Sequence, residues 1–212
     1  MIPKIIHQVW LGPNQIPEEL MKYRMSVFGK NSSVNWKHYL WTETHRVENM
    51  EKYDDTIQFE YKHIDELGAG NLLKECDSLA AQSDVVRLLA IAKYGGIYLD
   101  MDVECLKELS PLLFVSGFAA RENNENICNA VFGACSHHPN IVSQIKELPY
   151  NVYKPTTWGV ELFTKHVLPC ESGFTLFPTH MFYPYLWDMP KEYQNVHSES
   201  FCIHHWKASW NK

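Results

Sequence analysis

The stretch AAQSDVVRLLAIAKYGGIYLDMDVECLKEL, Ala80 to Leu109, decides how the rest of the chain is read. Its first half predicts a helix from about Ser78 to Tyr94, capped by Asp77 or Ser78 and stopped by Gly95-Gly96. The helix is apolar over most of its surface, so it belongs in the interior. A strand, Ile97 to Val103, follows at once. With a period of two, Ile97, Leu99, Met101 and Val103 take one face and Tyr98, Asp100 and Asp102 the other. Aspartate is depleted from strands, and a buried carboxylate needs compensation. The two Asp Cα atoms would lie ~6.5 Å apart. One carboxylate could then hold a cation directly while the other reaches it by a longer path or through water. Hard oxygen ligands favour Mg²⁺ or Mn²⁺. A strand with a wet polar face also fits the D-x-D taken alone.

The helix before it adds a second polar feature. Ser83, Asp84 and Arg87 share one turn, at i,i+3 and i,i+4 spacing. As a local ion pair this group would contribute a few tenths of a kcal/mol, roughly what exposed pairs give. Burying it for stability alone gains little. Beside a D-x-D strand it suits the floor of a site for a hydroxyl-rich ligand.

Outward from this stretch, strand and helix segments alternate over the first half, which indicates an α/β layered fold. Lys4–Trp10 reads as a strand ending at Gly12-Pro13. Residues 16–31 read as a helix, with Pro17 near its start and Gly29 and Asn31 near its end. A strand over 35–41, a helix over 42–54 and a strand over 56–64 follow. In the second half, 114–123 and 126–136 read as strands, 138–148 and 156–168 as helices, and 200–206 as a late strand. The 212 residues show no linker, repeat or low-complexity tract, and they are read as one domain.

The formal net charge is −6, with no cluster of Lys and Arg, which argues against nucleic-acid binding. The six cysteines are dispersed and form no CxxC, a pattern of reduced thiols rather than a disulfide framework. The opening residues carry too short an apolar run for a signal peptide, and no segment approaches the ~20 apolar residues of a membrane helix. The expectation is a cytoplasmic protein, with peripheral contact at the inner face of a membrane left open. Aromatics are abundant, with seven Trp among them, as core material or as stacking platforms.

The joint pattern S-D-x-x-R followed by G-G-x-Y-x-D-x-D, at Ser83, Asp84, Arg87, Gly95, Gly96, Tyr98, Asp100 and Asp102, resembles the central motif of glycosyltransferase family 32. Two more stretches agree. IPKIIHQVWLG, Ile2 to Gly12, is similar to the family's opening strand, where Val9 and Trp10 match positions that flank and stack on the nucleotide base. IHHWKASW, Ile203 to Trp210, resembles its terminal segment; His204 matches the metal-side histidine, with His205 the adjacent alternative, and Ser209 and Trp210 match diphosphate-side residues. ICNAVFGACSHHP, Ile127 to Pro139, is similar to a segment whose asparagine, here Asn129, faces the donor sugar. Residues 139–197 match loosely.

The resemblance implies an α/β fold of the GT-A (nucleotide-diphospho-sugar transferase) type, a mixed central sheet flanked by helices. About 1–110 would form the nucleotide-sugar and metal half, and about 111–212 the acceptor half with the C-terminal metal and diphosphate segment. It implies a retaining hexosyltransferase of the bacterial capsule or lipopolysaccharide kind, using Mn²⁺ or Mg²⁺ at Asp100, Asp102 and His204. The donor would be a nucleotide-sugar bound by Val9, Trp10, Ser83, Asp84, Arg87, Tyr98, Asp100, Asn129, Ser209 and Trp210. UDP-linked galactose, glucose or N-acetylhexosamine come ahead of GDP-mannose. The acceptor would be a glycan or lipid-linked glycan. Asp84, Arg87, Asp100 and Asp102 would carry the catalysis, by same-face attack rather than through a covalent sugar–enzyme adduct.

Two rival readings stand beside this one. IYLDMDV also fits the opening motif of haloacid-dehalogenase-like phosphatases, in which the first Asp is the nucleophile. Those enzymes need a further acidic pair, and after Asp102 the chain has only Asp188. A non-catalytic sugar-binding module would use the aromatics without needing a metal beside Arg87.

Overall fold

The computed structural model describes residues 1–32, 35–43, 60–148, 157–169, 173–189 and 196–207. The strands are β1 (Ile5–Val9), β2 (Lys37–Thr42), β3 (Glu60–His63), β4 (Gly96–Leu99), β5 (Val103–Cys105), β6 (Gly117–Arg121), β7 (Ile127–Ala134), β8 (Phe174–Phe177) and β9 (Cys202–His204). The helices are α1 (Glu18–Lys30), α2 (Gly70–Lys74), α3 (Leu79–Tyr94), α4 (Pro139–Glu147) and α5 (Leu162–Val167). Seven strands form one mixed sheet in the order β3-β2-β1-β4-β7-β6-β8, and β5 pairs with β9 in a small second sheet. The pairs β1–β2, β2–β3, β1–β4 and β6–β8 are parallel; β4–β7 and β6–β7 are antiparallel.

Apolar residues cover both faces of this sheet, so its central strands read as continuous hydrophobic runs. On one face Tyr39, Trp41, Tyr98 and Phe132 pack under α3, through Val85, Val86, Leu88 and Ile91. On the other, Ile6, Ile97, Leu99, Phe118 and Val131 meet Val27 of α1 together with Phe182 and Cys202. Tyr98 therefore points towards α3 while Ile97 and Leu99 point away.

α3 begins where expected: the Ser78 hydroxyl accepts from the Ala81 N–H at 3.2 Å. It stops at Gly95 (φ +64°), and Gly96 follows with φ +115°. A Cβ on Gly96 would lie 2.5 Å from the carbonyl oxygen of Ile5, so only glycine lets the chain re-enter the sheet there. His7 locks the same junction. Its Nε2–H donates to the Gly95 carbonyl at 2.8 Å, and its Nδ1 accepts from the Trp41 indole N–H at 3.0 Å.

Two expected elements are broken within their spans. The strand over Ile97–Val103 is broken: β4 ends at Leu99, and the Val103 N–H turns back to the Asp100 carbonyl at 3.1 Å. Asp100, Met101 and Asp102 form a turn, so the alternation argument for the two acids fails. Partners distant in sequence set the break, the Asp100 N–H donating to the Ala130 carbonyl and the His205 N–H to the Asp102 carbonyl, and aspartate's preference for turns agrees with it. The helix expected over 156–168 is also interrupted. Gly159 lies outside helical geometry (φ −79°, ψ −113°), and regular helix resumes only at α5. The late strand shortens to β9. The helix expected over 42–54 lies almost wholly outside the described residues, and the strand over 56–64 is described from Glu60 as β3.

Candidate active site

Three elements converge at the carboxyl ends of β1 and β4, where ligands gather in open α/β sheets. The turn after β4 brings Asp100 and Asp102. The end of β9 brings His204, held opposite Val103 by the β5–β9 pairing. The middle of α3 brings Asp84 and Arg87.

Each aspartate commits one oxygen to the protein and turns the other towards a shared point. Oδ1 of Asp100 accepts from the Tyr98 hydroxyl at 2.6 Å and lies 3.3 Å from Nη1 of Arg87. Its Oδ2 faces Nε2 of His204 at 3.8 Å. Oδ2 of Asp102 accepts the Lys207 N–H at 2.7 Å, while its Oδ1 lies 3.2 Å from the same His204 nitrogen. Asp100, Asp102 and His204 each offer one ligand atom, and all three atoms lie within 4.8 Å of one another. Ligands of a single ion at 2.0–2.1 Å stand ~3–4 Å apart, so this spacing suits one divalent cation.

The charges agree with that fit. Asp84, Asp100 and Asp102 against one guanidinium leave two negative charges, which a dication would neutralise. A proton on His204 would offset part of the same charge. Burial works against a charged His204, but the Asp102 carboxylate outweighs it and pushes the imidazole up to about 10. His204 in turn holds Asp102 below the usual carboxylate range, against its burial. Burial raises Asp100, with Arg87 opposing and Asp102 adding to the rise. Nδ1 of His204 is buried and meets no partner in hydrogen-bond geometry among the described residues, although the nearby Cys128 thiol adds to the rise of the imidazole.

Arg87 ties the site together. Its Nη2 lies 3.1 Å from Oδ1 of Asp84, its Nη1 donates to the Asn129 carbonyl at 2.9 Å, and its carbon centre sits 4.5 Å from the Tyr98 ring centroid. The Asn129 amide donates to Oδ1 of Asp84 at 3.0 Å, which links β7 to α3. Burial raises Asp84 despite Arg87. Burial pushes the Tyr98 phenol well above its usual range, with Arg87 and a hydrogen bond from Ser83 opposing the rise.

The other expected residues divide. Trp10 is half-buried at the end of β1, packed on a cluster of Leu20, Leu40 and Met101, the last being the residue between the two acids. Val9 is core, its side chain under α3, so it offers a ligand only its main chain. His205 is committed elsewhere: Nε2 to Glu104 at 2.9 Å, Nδ1 to the Tyr185 hydroxyl at 3.1 Å, and its ring stacked on Tyr23. His204, not His205, thus faces the acids. Ser209 and Trp210 lie outside the described residues.

Residue-by-residue reading missed two participants. The Lys207 main chain fixes Asp102, and a backbone donor leaves no trace in residue type. Gly159 approaches so closely that a Cβ there would lie 3.0 Å from Oδ2 of Asp84. Its sequence signal was a glycine inside an otherwise helical pattern.

Residues 17–119 match the family described as "Glycosyltransferase sugar-binding region containing DXD motif". The chain is 30% identical, over 99% of its own length, to inositol phosphoceramide mannosyltransferase 3 of Schizosaccharomyces pombe, of which it covers 56%. It spans about half the length of the curated relatives it matches. Among solved structures, the PaToxG glycosyltransferase superposes with a TM-score of 0.61 at 20% identity, over 77% of this chain and 68% of that one. The galactosyltransferase LgtC, solved with donor and acceptor sugar analogues, superposes with a TM-score of 0.54 at 12% identity, over 94% and 86%. These likenesses fix the fold as GT-A, with the mixed sheet flanked by helices.

Proposed function

We propose that the protein is a metal-dependent glycosyltransferase that moves a hexose from a nucleotide-sugar donor to a lipid-linked or glycan acceptor. One observation carries this reading. Asp100, Asp102 and His204 converge within 4.8 Å, and Arg87 bridges Asp100 to Asp84 immediately beside them.

Oδ2 of Asp100, Oδ1 of Asp102 and Nε2 of His204 would hold the cation. When bound, a divalent ion supplies a Lewis acid that offsets charge on the departing diphosphate. Arg87 keeps Asp100 in place and, with Asp84 and the Asn129 amide, forms a rigid polar floor for sugar hydroxyls, which fixes the anomeric carbon for attack. Trp10 would offer its ring to the base. Asp84, Arg87, Asp100 and Asp102 are the proposed catalytic residues. Ser209 and Trp210 remain proposed diphosphate contacts on their sequence match.

The relative from S. pombe is named for mannosyl transfer to inositol phosphoceramide. That name favours mannose, and with it GDP-mannose, over the UDP-hexoses expected first. It also favours an inositol-phospholipid type of acceptor over a capsule or lipopolysaccharide chain. Contact with a membrane surface follows from such an acceptor; among the described residues no helix is long and apolar enough to cross a membrane.

A sugar-binding module would not need Asp100, Asp102 and His204 gathered within 4.8 Å beside Arg87. A phosphatase of the haloacid-dehalogenase kind needs a further acidic pair, and after Asp102 the only aspartate in the sequence is Asp188. The deciding experiment incubates the protein with Mn²⁺ and GDP-mannose, UDP-galactose, UDP-glucose or UDP-N-acetylglucosamine, with and without inositol phosphoceramide. Nucleoside diphosphate release with one donor, accelerated by the acceptor and retaining the anomeric configuration, supports the reading. Hydrolysis of simple phosphate esters with no turnover of any donor overturns it.

A further inference from the structure

Cys105 and Cys202 stand directly opposite each other on β5 and β9, 97 positions apart in sequence. Their sulfurs are 3.6 Å apart, and both side chains are buried. The Cys105 N–H donates to the Ser26 hydroxyl at 2.9 Å rather than across the pair. That marks Cys105–Cys202 as a non-hydrogen-bonded antiparallel pair, the kind with the shorter Cα separation of ~4.5 Å. Such a separation falls inside the range a disulfide accepts, and closing the sulfurs to bonding distance takes ~1.6 Å, within reach of a small χ1 adjustment.

We propose that Cys105 and Cys202 form a redox-dependent cross-strand disulfide that staples β9 to β5. The bond would secure the short strand that presents His204, two positions beyond Cys202 and opposite Val103. This inference rests on the β5–β9 pair and is independent of the sugar donor or acceptor. The oxidant is a small-molecule disulfide, RS–SR. The Cys105 sulfur, as thiolate, attacks one sulfur of RS–SR, giving a mixed disulfide and releasing RS⁻. The Cys202 thiolate then attacks the Cys105 sulfur of that mixed disulfide. The Cys105–Cys202 bond forms and a second RS⁻ leaves. The two protons pass to the released thiolates, and RS–SR gains the two electrons as two RSH. Because both thiols are shielded when β9 is paired, the exchange proceeds while this three-residue strand is detached from β5, during folding or local opening.

The test refolds the reduced full chain in mixtures of reduced and oxidised glutathione, quenches by alkylation in denaturant, and maps the peptides by mass spectrometry. In an equimolar mixture the Cys105–Cys202 linkage is expected in most chains. Oxidised protein should melt roughly 5–10 °C above dithiothreitol-treated protein, since the bond closes a long loop in a chain of this size. Amide exchange at Ile203 should slow at least ~10-fold on oxidation, as opening of β9 becomes restricted. Cys202→Ala should abolish the difference between oxidised and reduced melting. If that variant does not fold, the peptide map of the unmodified chain decides. Complete alkylation of both thiols at every glutathione ratio would overturn the proposal and leave the pair as a thiol contact in the core. So would a linkage that neither raises the melting temperature nor slows exchange.

Discussion

The main-chain N–H of Lys207 donates to Oδ2 of Asp102 at 2.7 Å, across 105 positions of sequence. This bond turns the other oxygen of Asp102 towards His204 and makes the acid's orientation depend on the C-terminal segment. An amide keeps the shape but presents at most one acceptor and no charge. Asp102→Asn is therefore expected to lower turnover at least ~100-fold, because a ligand and a charge are lost together. The fold should survive, since His204 loses the carboxylate that holds its proton and reverts to a neutral imidazole. Turnover and a thermal melt are the measurements; near-full activity with an unchanged melt would remove Asp102 from the site.

The central motif was legible because it couples local signals that agree. The Ser78 cap, the apolar faces of α3 and the Gly95-Gly96 stop each announce themselves in residue type. The conjunction of Ser83, Asp84 and Arg87 with the two acids did the same for the site. The turn at Asp100–Asp102 was not legible, because Ile97 to Val103 keeps a strand's alternation through a break set by tertiary contacts. Asp100 N–H pairs with the Ala130 carbonyl and the Asp102 carbonyl with the His205 N–H, both partners distant in sequence. Choosing His204 over His205 likewise needed Glu104, Tyr185 and Tyr23, which single out His205 only once β9 is docked.

Cation binding should release protons. His204 sits at about 10 with no ion bound, so near pH 7 its nitrogen carries a proton that a metal must displace. Raising the pH should therefore strengthen Mn²⁺ binding, up to about tenfold per unit while one proton is displaced. Calorimetry at pH 7 in two buffers of different ionisation enthalpy should report close to one proton released, and none in His204→Ala. A pH-independent affinity with no proton release would show that His204 is not a ligand.

Acid should destabilise the fold through two buried histidines. Burial lowers His7 from 6.5 to about 4, opposed by the Gly95 carbonyl, and His38 falls to about 4 for the same leading reason, with Arg24 adding to it. Both are neutral in the folded chain, whereas the unfolded chain binds protons on them below pH 6.5. Stability thus falls as pH drops from about 6.5 towards 4, by roughly 2–3 kcal/mol for each residue, and is flat with respect to them above that window. Urea denaturation at pH 7.5, 6.5, 5.5 and 4.5 checks this, and His7→Gln should flatten part of the slope. A pH slope that His7→Gln leaves unchanged would contradict the buried neutral assignment.

Arg87 tests whether geometry or charge alone organises the polar floor. Its fork reaches Asp84 at 3.1 Å, Asp100 at 3.3 Å and the Asn129 carbonyl at 2.9 Å, with its carbon centre over the Tyr98 ring. A lysine carries the same charge on a single nitrogen and cannot span the three partners. Arg87→Lys should fold, with a melting temperature lower by a few degrees (roughly 1–2 kcal/mol), yet lose at least ~100-fold in turnover as Asp84 and Asp100 lose their common brace. Its Mn²⁺ affinity should fall about 10-fold, since Arg87 orients a ligating carboxylate without binding the ion. Arg87→Met removes the charge as well and strands two buried carboxylates, a loss of about 3–5 kcal/mol that should leave much of the chain unfolded at 37 °C. The ordering is the discriminating result: lysine spares the fold and not the turnover, methionine spares neither. If the lysine variant kept full turnover, a positive charge near Asp100 would suffice, and the bridging geometry would have no catalytic part.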